Sequence, residues 1–207
     1  TVGLVPGAHC GLAQEQHPPG DPRLPGPRSS PHVLRSTLRH SVMRICTGRH
    51  AIAQPPRRPV VPIGMFDGVH VAHQRLIQTT VRMATDLRGT SVAITFDPDP
   101  QWILAPQQAQ PPLMPLARRL ELMSALGLDL IWVIPFTRAF SRMTPQQFVE
   151  TVLVRRLRAV CVVVGGSFAF GTARTGTRDL LKTLGQTHGM RVVTLPAVVR
   201  RGGAVSS

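Results

Sequence analysis

An α/β fold, with a mainly parallel five-stranded sheet flanked by helices, is predicted by two features of the chain from Val60 onward. Short apolar runs rich in Val and Ile alternate with longer amphipathic runs. That alternation implies strands joined by crossover helices rather than by hairpins, and hence a largely parallel sheet.

Strands are predicted over 60–63, 91–96, 130–136, 160–165 and 191–195, each rich in Val or Ile. Helices are predicted in the gaps, over 73–87, 116–126, 145–157 and 178–188. The third has a marked start, because Thr144 can cap orphan amides and Pro145 suits the first helical position. Its residues Phe148, Val149, Val152 and Leu153 make one apolar face. In open sheets of this kind ligands sit beyond the carboxyl ends of the strands, so the loops after the five strands are where chemistry is sought.

The first 58 residues have a different texture. They hold nine of the twenty prolines, in runs such as His17-Pro18-Pro19-Gly20-Asp21-Pro22, without sustained apolar periodicity. Such a segment does not repay its ordering entropy by burial. Residues 1–58 are therefore expected to be a Pro/Arg-rich, mostly disordered segment with room for one short helix around 33–44, and 59–207 to be the folded domain.

Composition narrows the function classes. Three cysteines, Cys10, Cys46 and Cys161, are too few and too scattered for a disulfide framework or a Cys-x-x-Cys metal cluster, which favours a reducing, cytoplasmic setting. The net charge of +14 raises nucleic acid as a partner. It comes, however, from 23 Arg and one Lys spread along the chain, a net of +6 over 1–58 and +8 over 59–207. No aromatic ladder interleaves those charges, as single-strand binding needs, so a nucleic-acid partner is not expected. Neither is a membrane, since no apolar run approaches the ~20 residues that span a bilayer.

The chemistry-bearing stretch follows the first strand: Gly64-Met65-Phe66-Asp67-Gly68-Val69-His70-Val71-Ala72-His73, leading into a helix. Two histidines three apart at a helix start can face one ligand together. There they join free backbone amides and the positive end of the helix dipole, which together form an anion site. Glycines at 64 and 68 let backbone approach a phosphate closely. Nucleotidyl transfer needs such fixed donors, because charge builds on the α-phosphate oxygens and the departing pyrophosphate. Spacing alone leaves two other readings open: a pair of surface histidines on a turn, or half a zinc site.

This stretch is similar to the Gly-Asn-Phe-Asp-Gly-Val-His-x-Gly-His signature of the prokaryotic FAD synthetases, within the wider His-x-Gly-His nucleotidyltransferase superfamily. Three further segments extend the resemblance. Thr95-Phe96-Asp97-Pro98-Asp99-Pro100 resembles the family's Thr-Phe-Asp-Pro-His-Pro strand end, and Pro135-Phe136-Thr137 with Phe140, Thr144, Pro145 and Phe148 resembles its next segment. Val162-Val163-Val164-Gly165-Gly166-Ser167-Phe168-Ala169-Phe170-Gly171 resembles its glycine-phenylalanine loop, with Gly176 following at the family's spacing.

The resemblance implies a Rossmann-like nucleotidyltransferase domain that transfers AMP from ATP to FMN, releasing pyrophosphate and making FAD, with Mg2+ accompanying ATP. It implies that His70 and His73 hold the ATP phosphates and stabilise the transition state. Gly64, Phe66, Asp67, Gly68, Gly165, Ser167, Phe170 and Gly171 would shape the nucleotide site. Phe96, Asp97, Pro98, Asp99 and Phe168 would line the flavin side together with Ser206 and Ser207, which match the first two residues of the family's Ser-Ser-Thr-x-x-Arg motif. The Thr and Arg of that motif lie beyond this sequence, so the domain is expected to be truncated and slow in turnover, and the family's riboflavin kinase domain falls outside it.

Four positions depart from the family pattern: Met65 for Asn, Ala72 for Gly, Asp99 for His and Ser167 for Asp or Asn. They keep open a second reading, a non-catalytic or truncated paralogue that binds flavin or nucleotide. Sister transferases of the superfamily are disfavoured by the Phe-Asp-Pro and Phe-x-Phe-Gly segments. Elsewhere, Arg118 and Arg119 with Glu121 are read as a solvated helix face, Arg155, Arg156 and Arg158 as cations suiting a helix C-terminus, Cys161 as an inert small hydrophobe, and His188 as the end of a helix before Gly189.

Overall fold

The computed structural model describes residues 43–200 and 203–205. The expected short helix around 33–44 falls almost entirely, and Ser206 and Ser207 fall wholly, outside the described residues. The sheet has six strands, β1 (Arg44–Thr47), β2 (Pro59–Pro62), β3 (Thr90–Asp97), β4 (Leu130–Pro135), β5 (Cys161–Val164) and β6 (Arg191–Thr194), all parallel, in the order β1-β4-β3-β2-β5-β6. Its helices are α1 (Val71–Asp86), α2 (Pro100–Leu104), α3 (Leu116–Ala125), α4 (Arg138–Ser141), α5 (Pro145–Phe148) and α6 (Arg178–Thr187). A short antiparallel pair, β7 (Val198–Arg200) with β8 (Gly203–Val205), follows β6.

All five predicted strands are present, and the sixth is a correction to the count. It comes from Arg44–Thr47, inside the stretch expected to be disordered, and it pairs with β4 in the register Arg44 with Leu130 through Thr47 with Val133. The indole of Trp132 reinforces the join, donating from Nε1 to the Gly48 carbonyl at 2.7 Å, and Ile52 beyond it is buried.

Period-two alternation sorts the strand residues into two apolar layers. Val61, Val92, Ile94, Trp132, Val162 and Val164 pack on one face with Phe148, Val149, Leu153 and Leu181 from the helices after β4 and β5. Val60, Ala93, Ile131, Val133, Cys161 and Val163 pack on the other with Leu76, Ile77 and Ala84 of α1 and Met123 of α3. A sheet covered on both faces explains why its strands read as continuous apolar runs.

The helix predicted over 145–157 begins as expected. Thr144 Oγ1 accepts from the Gln147 amide, the Gln147 side chain accepts from the Thr144 amide, and Pro145 occupies the first turn. After Phe148 the chain continues with π-type hydrogen bonding over Val149–Leu157 and stops at Arg158 in the left-handed conformation. His188 is the C-cap of α6, followed by Gly189 at φ 65°, as the sequence implied.

Candidate functional site

After the edge strand β1 the chain enters the middle of the sheet at β2, moves through β3 to β4 on one side, and crosses to β5 on the other. The crevice beyond the carboxyl ends of β2 and β5 is thus the switch point, where ligands bind in open parallel sheets. The histidine stretch follows β2 and the glycine-phenylalanine loop follows β5, so these two predicted segments flank one crevice.

After β2, Gly64 still pairs with the sheet through its amide and the Ile94 carbonyl at 3.1 Å. Met65 uses its carbonyl to accept from Thr95 Oγ1 at 3.1 Å. Phe66 is fully buried with its backbone left-handed at φ 56°, and Asp67–Val69 form a single 3-10 turn with Gly68 at φ 70°. Its positive φ favours glycine at 68, whereas the Leu113 Cδ1 that an added Cβ would meet at 2.9 Å is the tip of an exposed side chain free to turn aside. Asp67 Oδ2 accepts from the Leu113 amide at 2.9 Å, tying this turn to the segment before α3.

This turn delivers His70 as the N-cap of α1 and His73 into its first turn. No side chain caps α1, so its first amides are left without a side-chain acceptor. The two imidazoles stack with centroids 3.7 Å apart and planes 24° from parallel, and Phe66 meets His73 edge-on at 5.3 Å. Burial first, and then the nearby His70, bring His73 down to about 4, with Asp67 opposing the shift through its charge and a backbone hydrogen bond. Burial also lowers His70. Both rings are therefore neutral at physiological pH. Neither ring nitrogen of His70 has a protein partner among the described residues, nor has Asp67 Oδ1.

On the β5 side, Phe170 and Gly176 pair across the loop by two backbone hydrogen bonds of 3.0 and 2.8 Å. Gly171, at φ 72° and ψ −179°, lies against Pro145, where an added Cβ would come within 2.8 Å of the ring. Gly165 differs, since a Cβ there would meet no atom within 4 Å. Ser167 is exposed at the tip, whereas Phe168 stacks on Phe170 at 5.5 Å.

Between these ends runs a chain of phenylalanines that sequence reading did not assemble. Phe96 touches Phe136 and Phe140 at 5.9 and 5.8 Å, Phe140 touches Phe148 at 6.3 Å, and Phe148 touches Phe170 at 5.7 Å. It welds the end of β3 to the β5 loop through α4 and α5.

Phe96 leads into Asp97, Pro98 and Asp99, the last of which caps α2 by accepting from the Gln101 amide at 2.8 Å. A cavity of about 290 Å³ opens here, lined by Asp67, Asp97, Pro98, Asp99, Trp102, Pro112, Met114, Leu116 and Arg119. Arg119 corrects the sequence reading of a solvated arginine pair. Arg118 is exposed and pairs with Glu121 at 2.9 Å, but Arg119 is 5% exposed and donates from Nη2 to the Phe96 carbonyl at 3.1 Å. The missed signal was its place four residues before buried Met123, on the inward stripe of α3. Arg156 likewise does more than suit a helix end, reaching His50 Nδ1 at 2.7 Å and the Ile52 carbonyl at 3.4 Å.

Known proteins resemble the chain in sequence and in fold. The sequence pattern of the FAD synthetase family matches residues 52–207. The chain is 30% identical over 166 residues to the bifunctional riboflavin kinase/FMN adenylyltransferase of Escherichia coli strain K12, covering 80% of this chain and 53% of that protein. The like-named protein of Listeria monocytogenes is 37% identical over 125 residues, 59% of this chain and 40% of its own length. A solved structure described as a macrolide-efflux protein from Streptococcus pneumoniae superposes with a TM-score of 0.69 at 25% identity, covering 80% of this chain and 55% of that one. The chain spans about half the length of the relatives it matches. With three quarters of its residues inside the family's pattern, the chain belongs to the FAD synthetase family.

Proposed function

We propose that this domain is an FMN adenylyltransferase, joining FMN to the AMP half of ATP to make FAD. The observation that carries the reading is the stacked His70–His73 pair at the uncapped start of α1, set at the switch point opposite the Gly165–Gly171 loop. The names of the matched relatives support the same reaction.

A phosphate oxygen of FMN attacks the α-phosphorus of ATP in line, the α–β bridging bond breaks, and pyrophosphate leaves with that electron pair. No covalent enzyme intermediate is needed. His70 and His73, neutral before substrate enters, each present a ring N–H to oxygens on which charge develops, and the α1 amides add further donors. Incoming phosphates favour protonation of the same rings, since a nearby anion stabilises the imidazolium. Gly165 leaves room for the nucleotide to approach backbone, and the phenylalanine chain holds that loop in register with the flavin side.

Magnesium enters with ATP as part of the substrate. Among the described residues no group of three or more His, Cys, Asp or Glu side chains is gathered for a metal. No described helix is long and apolar enough to cross a membrane. Cys46 and Cys161 are free thiols, and with them a cytoplasmic setting is proposed.

Incubating the 207-residue chain with FMN and MgATP tests the reading by chromatography of the flavin and assay of pyrophosphate. FAD and pyrophosphate should appear in equal amounts. Flavin and nucleotide binding without FAD, in this chain and also in one extended through the Thr and Arg of the family's Ser-Ser-Thr-x-x-Arg motif, would replace the reading by the non-catalytic one, which the departures at Met65, Ala72, Asp99 and Ser167 favour.

A further inference from the structure

Arg119 is the buried group that the transfer chemistry leaves without a task. Its Nη2 donates to the Phe96 carbonyl, whereas Nε has no protein partner among the described residues. A guanidinium presents five N–H donors in a planar fork, and a buried donor left unpaired is costly, so an acceptor from outside the protein would complete the site.

The surroundings decide what kind of acceptor. Asp67, Asp97 and Asp99 line the cavity against the single cation Arg119, a formal balance of −2, while Trp102 and Met114 supply apolar wall. Such a lining repels a phosphate dianion. It suits a neutral planar ring whose carbonyl oxygen accepts from the guanidinium and whose N–H donates to a carboxylate. At about 290 Å³ the cavity has room for one such ring system near the lower end of ligand-pocket sizes.

Resting on the FMN reading above, we propose that Arg119 is an acceptor-binding residue that recognises a carbonyl of the flavin ring, not its phosphate, while pinning the Phe96 strand end. The charge of the cavity and the orphan Nε then share one explanation. Phe96 joins the same device, because the residue whose carbonyl Arg119 holds is the first link of the phenylalanine chain.

Riboflavin and FMN share the ring and differ in the phosphate, so together they test the assignment. Trp102 lines the cavity and is 45% exposed, and its fluorescence reports ring binding to the full chain without turnover. Arg119→Met removes the fork at similar length; Arg119→Lys keeps the charge and one donor for Phe96 but loses the Nε–H. Both should weaken riboflavin and FMN by the same factor, tenfold or more for the methionine variant, the scale of one hydrogen bond to a charged group. ATP affinity should stay unchanged. A loss confined to FMN would make the contact a phosphate contact and overturn the proposal. A lowered melting temperature with ring affinity intact would reduce Arg119 to packing, and failure of the unaltered chain to bind either flavin overturns the proposal as well. FAD formation by the unaltered chain, measured in parallel, decides the catalytic reading separately.

Discussion

The imidazoles of His70 and His73 stack at 3.7 Å between ring centroids, which sets two titrating groups so close that each proton opposes the next. Burial and this neighbour hold His73 at about 4, below its ordinary 6.5. Above pH 6.5 the ring is neutral in folded and unfolded chain alike and contributes nothing to pH dependence. As pH falls from 6.5 to about 4 the unfolded chain takes up a proton that the folded chain refuses, so stability declines through that window and levels below it. The full loss is on the order of 3 kcal/mol, at about 1.4 kcal/mol per unit. Urea midpoints taken between pH 7 and 4 should fall, and His73→Gln should flatten the curve; equal slopes in both proteins would show that other groups govern the acid response.

The same pair makes a catalytic prediction. His70→Asn and His73→Asn should each lower the rate of FAD formation about 100-fold or more, the usual scale for losing one donor to a transition-state oxyanion. Because the rings act as a unit, the double variant should lose much less than the product of the single losses. Single-turnover rates with saturating FMN and MgATP check this, and fully multiplicative losses would mean that the two rings act on separate steps.

Much of this fold was legible because its signals are local. Short continuous apolar runs rich in Val and Ile sufficed for β2 to β6, and Thr144 with Pro145 marked the start of α5. β1 escaped because Arg44–Thr47 is a four-residue edge strand, mostly exposed and set next to proline-rich sequence, and only its pairing with β4 makes it a strand. Arg119 escaped for a related reason. Charge next to charge suggested a wet face, whereas the i, i+4 relation to Met123 turns one of the two arginines inward. The phenylalanine chain links residues as distant as Phe96 and Phe170, so no window of sequence contains it. Phosphate-binding motifs are readable because backbone geometry demands particular residue types at short spacing; a cavity assembled from β3, α2 and α3 carries no such short-range mark.

Gly165 and Gly171 separate two uses of glycine in one loop. Gly171 combines φ 72° and ψ −179°, a region open essentially to glycine alone, with the Pro145 ring 2.8 Å from any added Cβ. Gly171→Ala should therefore cost at least about 2 kcal/mol and displace the loop. Gly165→Ala adds a methyl into open space, so stability should stay within about 0.5 kcal/mol, while ATP affinity falls if nucleotide passes over that backbone. Urea unfolding with ATP titration distinguishes them. Equal destabilisation of both variants, or unchanged ATP affinity in Gly165→Ala, would remove the distinction.

Asp99 stands where the family pattern has histidine, and its bond to the Gln101 amide supplies a structural reason for the aspartate. With Pro100 at the first helical position, α2 has lost one donor already and relies on this side chain to satisfy the next. Asp99→Ala should cost about 1 kcal/mol, the ordinary price of a lost N-cap. Asp99→Asn keeps a capping oxygen while removing the charge, so its thermal midpoint should return to that of the unaltered chain. If asparagine and alanine lost the same stability, the carboxylate's charge, balanced against Arg119 across the cavity, would be what the position needs, and the cap would be incidental.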